Sequence, residues 1–319
     1  MVARVILSFD CEGKWGVADL LDCAVHRDLS DARLAAAYDV IVQLLDEFVM
    51  PATFAFVGAF AQPKARFREI EDGLREIAER APNYLGPALF DLAHGSKQGW
   101  HGDWAVNAVE GAATKHEIAL HGFSHVPWTN LDREIVQFEM ALWRSTSGPV
   151  SDSLTFIYPR NAVAHTDLLA AAGFQGFRGA RRSTTRLRSL ASEFNVWASP
   201  DSDPMSHESI IRIPAGRFLN WHHGLRRTIP RFVTLRRASH MLEIANRTNG
   251  IVHFWLHPEN LATSPSTILL LKQLVRLIGK LRDAGTCKVL TQLEYCRDFQ
   301  SRVSDIRILE SAQNNVSWE

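Results

Sequence analysis

Cysteine is scarce: there are four, Cys11, Cys23, Cys287 and Cys296, and no two stand at CxxC spacing. That pattern excludes a disulfide scaffold and a zinc ribbon, and it suits free thiols in a reducing compartment. A charge excess is missing too, since Lys+Arg and Asp+Glu each number 35. No global field therefore favours nucleic acid or an acidic membrane, and attraction to a polyanion must come from local patches. No apolar run reaches the length of a membrane span. The stretch Met1–Phe9 has no charged start, long apolar core or cleavage site and enters a strand-like segment at once, so the expected location is the cytoplasm. Repeats, low-complexity tracts and clear linkers are also absent.

What is present is a large core. At 319 residues and 46% hydrophobic content, the chain needs no staples to fold. Runs rich in Val, Ile and Phe alternate with helical patterns, which indicates a mostly parallel sheet covered by helices. Seven strands are expected, at Arg4–Phe9, Thr53–Val57, Glu117–His121, Leu154–Tyr158, Ile210–Pro214, Ile251–His257 and Lys288–Leu290. The clearest helix spans Asp31–Phe48, with Leu34, Tyr38, Ile41, Leu45 and Phe48 at helical spacing and Asp31 to start it. Further helices are expected at Pro63–Arg80, Leu131–Ser145, His165–Ala172, Leu235–Asn246 and Ser266–Ala284. One domain over 1–300 is the simplest organisation, with a loop insertion at 81–111 and a tail at 301–319. Trp100 and Trp104 in that loop are read either as sugar-stacking platforms or as caps on the core.

Chemistry-bearing residues recur where strands end. Asp10 and Glu12 follow the first strand and share one side of it, because side chains alternate faces. Two such carboxylates can divide labour, one ligating a cation and the other accepting a proton from water. Cys11 points the other way and reads as a packed thiol. His121 and His125 lie after another strand, four apart, and can converge on one ion. With Glu12 they form a two-histidine, one-carboxylate set that leaves positions open, as a catalytic metal requires. His257 ends a late strand and could protonate a leaving group. His253 lies within that strand and reads as structural. Arg160 follows the strand that ends at Tyr158 and could orient a carboxylate.

In order, these segments resemble the motifs of the polysaccharide deacetylases (the NodB-homology proteins of carbohydrate esterase family 4), over roughly Val5–Pro258. Glu117–His125 is the most specific match. The resemblance implies a distorted (β/α) barrel of about seven strands with Asp10 as catalytic base, His121 and His125 as metal ligands and His257 as catalytic acid. Glu12 departs from the usual ligand directly after the base and makes a D-x-E variant. Arg160 follows Pro159, whereas the family places its base-orienting arginine before the prolines. Asp201 and Asp203 are the candidates for the partner of His257.

The implied reaction is metal-dependent hydrolysis of the N-acetyl group of an amino sugar. Zinc fits the ligands, and cobalt, nickel, manganese or iron would also suit them. A cytoplasmic enzyme would meet a nucleotide- or lipid-linked precursor of a surface polysaccharide of O-antigen type. Two basic clusters could receive its phosphates: Arg178, Arg181, Arg182 and Arg186, and then Arg226, Arg227, Arg231, Arg236 and Arg237. With Trp221, Leu225, Ile229 and Phe232 interleaved, the second cluster could instead rest weakly on the inner membrane. Rival readings are a deformylase acting on a formamido sugar, an inactive sugar-binding protein and a metal phosphoesterase.

Overall fold

The computed structural model describes residues 2–20, 23, 27–181, 190–200 and 210–316, with side chains up to residue 304. Among them lie nine strands: β1 Ala3–Cys11, β2 Thr53–Phe56, β3 Glu117–Leu120, β4 Thr155–Ile157, β5 Gly176–Arg178, β6 Ile211–Ile213, β7 Arg217–Phe218, β8 Ile251–Leu256 and β9 Cys287–Leu290. All pair in parallel in the order β6-β5-β4-β3-β2-β1-β8-β7, with β9 also against β1. Among the described residues no ladder joins β6 to β7, so the barrel is open and distorted. The α/β barrel class is therefore as expected. Two strands, β5 and β7, are additional to the seven read from sequence.

The helices are α1 Asp31–Glu47, α2 Phe67–Arg80, α3 Pro82–His94, α4 Asp103–Glu110, α5 Arg133–Ser145, α6 Thr166–Ala171, α7 Arg231–Thr248, α8 Pro258–Thr263, α9 Pro265–Asp283 and α10 Gln292–Val316. Ser30, not Asp31, caps α1, its Oγ accepting from the Arg33 amide at 3.3 Å. Asp31 instead ties down a distant turn by accepting from the Gly99 amide at 2.6 Å. The expected loop insertion at 81–111 is corrected: most of it is helical, in α3 and α4, and the Gly86-Pro87 pair that reads as a breaker lies inside α3. Trp100 is fully buried edge-on against Trp15 and donates its indole N–H to Asp91 at 2.8 Å. Trp104 packs edge-on against Tyr38, so both tryptophans cap the core. The expected boundary at 300 falls inside α10.

Alternation along β1 connects the core to the site. Its odd residues Val5, Leu7, Phe9 and Cys11 share the main core with Tyr38 and Ile41 of α1. Its even residues face the barrel interior. Arg4 pairs with Asp298 of α10 at 2.8 Å, and Ile6 packs with Tyr295 and Phe299, closing the barrel at that end. Ser8, one step up, meets His253 Nε2 at 2.8 Å, while His253 Nδ1 faces the Pro214 carbonyl at 2.9 Å. Burial holds this imidazole down to about 3, so it stays neutral and structural, as expected. Asp10 is the next even residue, and there the interior becomes polar.

Candidate active site

Six polar side chains converge at the carboxyl ends of the strands, the rim where barrel enzymes hold their chemistry. Glu12 Oε1 lies 2.9 Å from His121 Nε2 and 3.0 Å from His125 Nε2. His121 presents its Nδ1 to the Ile157 carbonyl at 2.8 Å, so that nitrogen carries the ring proton. In the neutral ring, Nε2 then offers a lone pair to a carboxylate oxygen. Two acceptors facing each other at this distance need a cation between them or a second proton on the ring. Glu12, His121 and His125 bring their ligand atoms within 4.8 Å of one another, and the donor set suits a divalent ion. Burial would raise the Glu12 carboxyl, but His257 and His125 hold it well below the usual range, so it is an anion ready to ligate.

Asp10 is held from behind by Arg178, which is 1% exposed and donates to both carboxylate oxygens, at 2.7 and 2.6 Å. The fork also donates to Asn161 Oδ1 at 3.0 Å, and its carbon stands 4.4 Å from the Trp255 ring centre. Burial, which opposes ionisation of Asp10, is outweighed by Arg178 and His121, and the carboxyl is held below its ordinary value. His257 Nε2 stands 3.3 Å from Glu12 and 3.9 Å from Asp10. Its Nδ1 donates to Asn260 Oδ1 at 3.2 Å, which turns Nε2 toward the pocket. Burial would lower this imidazole, yet the facing carboxylates Glu12 and Asp10 lift it to about 10.

Several residues hold these groups in place. Glu139 of α5 accepts from the Phe123 amide at 3.0 Å, the Ser124 amide and hydroxyl at 2.7 Å each, and the Trp128 indole at 2.6 Å. These bonds fix the turn that carries His121 and His125. Glu259 accepts from the amides of Glu12 and Gly13 and holds the turn after β1. Burial, with the Glu12 charge beside it, pushes the Glu259 carboxyl up to about 8. A Cβ on Gly16 would lie 1.8 Å from the Glu12 carboxylate, so only glycine leaves room there. Gly16→Ala is therefore expected to displace Glu12 and weaken metal affinity by about 10- to 100-fold, the usual cost of disturbing a ligand's support. Competition titration with a chromogenic chelator measures it, and unchanged affinity would show that Glu12 is not a ligand.

Of the residues singled out from sequence, Asp10, Glu12, His121, His125 and His257 come together. Arg160 lines the same pocket and pairs with Asp19, while the arginine paired with Asp10 is Arg178. The sequence groups Arg178 with the arginines that could receive phosphates, whereas in the structure it is the last residue of β5 and faces Asp10. Asp201 and Asp203 lie outside the described residues, as do Arg182 and Arg186, and Asn260 takes the place beside His257. Asn260 is three residues beyond His257, and that Asx-type spacing at a helix start was the available signal. Cys11 is buried and burial pushes its thiol well up, as befits a packed thiol. The pocket measures about 300 Å³, and Phe218, Trp221 and Trp255 supply its aromatic wall.

No family model matches the chain, and no curated protein matches it in sequence. Solved structures do. A candidate polysaccharide deacetylase from Mycobacterium smegmatis is similar with a TM-score of 0.57 at 16% identity, over 94% of this chain and 90% of that one. A second, from Pseudomonas aeruginosa PAO1, gives 0.50 at 11% identity, over 92% and 89%. At such identities the likeness is one of fold: this chain is an α/β protein with the barrel of the polysaccharide deacetylases.

Proposed function

We propose that the chain is a metal-dependent deacetylase that hydrolyses the N-acetyl group of an amino sugar. The observation that carries this reading is the pairing of one ionised carboxylate, Asp10, with a separate cluster of Glu12, His121 and His125, under one imidazole, His257, in an aromatic-walled pocket. A divalent cation on that cluster would act as a Lewis acid on the acyl carbonyl, and zinc is the best fit. Asp10 accepts the proton of the attacking water, and Arg178 keeps it ionised and aimed. His257 is charged at neutral pH and gives its Nε2 proton to the departing amine, which is a poor leaving group without it. Asn260 keeps the ring turned for that transfer. Trp221 and Trp255 offer faces on which a sugar ring can stack.

The amino sugar is proposed to be carried on a nucleotide or a lipid, as a precursor of surface polysaccharide. The test is acetate and formate release from N-acetyl and N-formyl amino sugars, free and phosphate-linked, with and without a chelator. Acetate release abolished by the chelator and restored by zinc is the expected result. Formate release alone would move the assignment to a deformylase. Release that ignores the chelator would end the metal-dependent reading.

A further inference from the structure

Nine large apolar residues are exposed among the described ones, and four of them, Phe194, Trp197, Leu225 and Phe232, lie on α7 or on segments tied to it. Phe232 is on α7 and is 68% exposed. The segment bearing Phe194 and Trp197 is tied to α7 by Arg237, which donates to the Glu193 carboxylate at 2.6 Å and to its carbonyl at 2.8 Å. The Trp197 ring stands 5.1 Å from His240 on the same helix and is 66% exposed. Leu225, 74% exposed, rides on a short turn that Arg226 links to the same Glu193 at 3.3 Å. Leu269 lies one helical turn before Gln273 on α9. Gln273 lines two adjoining cavities of about 490 and 530 Å³, one walled by Arg227, Arg231 and Phe232, the other by Trp197 and Arg236.

Charge on this face is one-sided. Among the described residues, Arg227, Arg231 and Arg236 have no carboxylate within ion-pairing distance, while Glu193 is taken by Arg226 and Arg237, and Glu243 by Arg247. The chain at large has equal numbers of acids and bases, so this local excess is a matter of placement. Unpaired guanidinium groups suit phosphate, and exposed tryptophan and phenylalanine beside them suit the boundary between headgroup and acyl chain. We propose that this face rests on a membrane surface rich in anionic lipid, with Trp197, Leu225 and Phe232 at the boundary and Arg227, Arg231 and Arg236 on lipid phosphates. Trp221 lines the active-site pocket and its neighbour His222 lines the cavity beside Arg227, so docking brings the pocket to the lipid surface.

The inference goes beyond the proposed reaction, and its test reads binding and not turnover. The full chain is sedimented with vesicles of phosphatidylcholine alone and of phosphatidylcholine mixed in equal parts with phosphatidylglycerol. Sedimentation with the mixed vesicles only, falling as salt rises, is expected. Replacing Arg227 and Arg231 together by Gln should weaken it about 25-fold, at about fivefold for each arginine. Phe232→Ser should weaken it as well, and all variants should keep the wild-type melting temperature. No binding to the mixed vesicles, or binding that these substitutions leave unchanged, would overturn the proposal. So would inorganic phosphate that stabilises wild type but not the double variant, without vesicle binding, because it would assign the cavity to a soluble phosphate.

Discussion

Asp10→Asn should lower acetate release by about 100- to 10,000-fold, the usual contribution of a positioned general base, while the protein keeps its full metal content. An amide nitrogen or oxygen at this position cannot take up the proton of the attacking water. The three proposed metal ligands, Glu12, His121 and His125, are untouched by the change, so binding and turnover separate. Turnover per bound metal, compared between wild type and variant, is the measurement. If the variant loses the metal together with its activity, Asp10 is a ligand, as its closeness to Glu12 and His257 also permits. If turnover persists, the base is another carboxylate, and Glu259 in the pocket wall is the next to test.

Arg178→Met should cost about 3–5 kcal/mol of folding stability, because it leaves the Asp10 charge buried without its partner. The remaining activity should also lose its pH range. The guanidinium holds the Asp10 carboxyl below its ordinary value, so removing it raises that carboxyl, and the acid limb of the rate profile should move to higher pH. Arg160→Met is the control. Arg160 is 37% exposed at the side chain, and its bond to Asp19 is a surface pair of about 0–1 kcal/mol. Thermal melts of both variants decide between the two arginines. Equal losses, or a larger loss at Arg160, would return the orienting role to Arg160.

The strands legible in sequence were those whose residues and flanks read as apolar runs. β1 is nine buried residues, and β8 is six with five buried. A strand enclosed on both faces reads as a continuous apolar run, which sequence shows directly. β5, Gly-Phe-Arg, is no shorter than the legible β4, Thr-Phe-Ile, and β6, Ile-Arg-Ile, but it and β7, Arg-Phe, contain the residues that usually mark turns and surfaces. The helix α3 was hidden by Gly86-Pro87 for a similar reason, since local punctuation is outvoted there by packing of Leu85, Ala88 and Leu92 into the core.

The same division runs through the site. By itself the sequence determined which residues stand at strand ends and which faces they share: Asp10 with Glu12, His121 with His125, and His257 after β8. Those relations are local, set by two-residue alternation and by the turn that follows each strand. Only the tertiary structure decided that Arg178 holds Asp10 and Asn260 holds His257, and that Arg226 and Arg237 are committed to Glu193 while Arg227, Arg231 and Arg236 have no carboxylate partner among the described residues. Arg178 meets Asp10 across 168 positions of chain because β5 lies between β4 and β6 in the curled sheet. A guanidinium carries the same charge wherever it lies; what it does depends on the carboxylate that folding brings opposite, and spacing along the chain does not encode that distance.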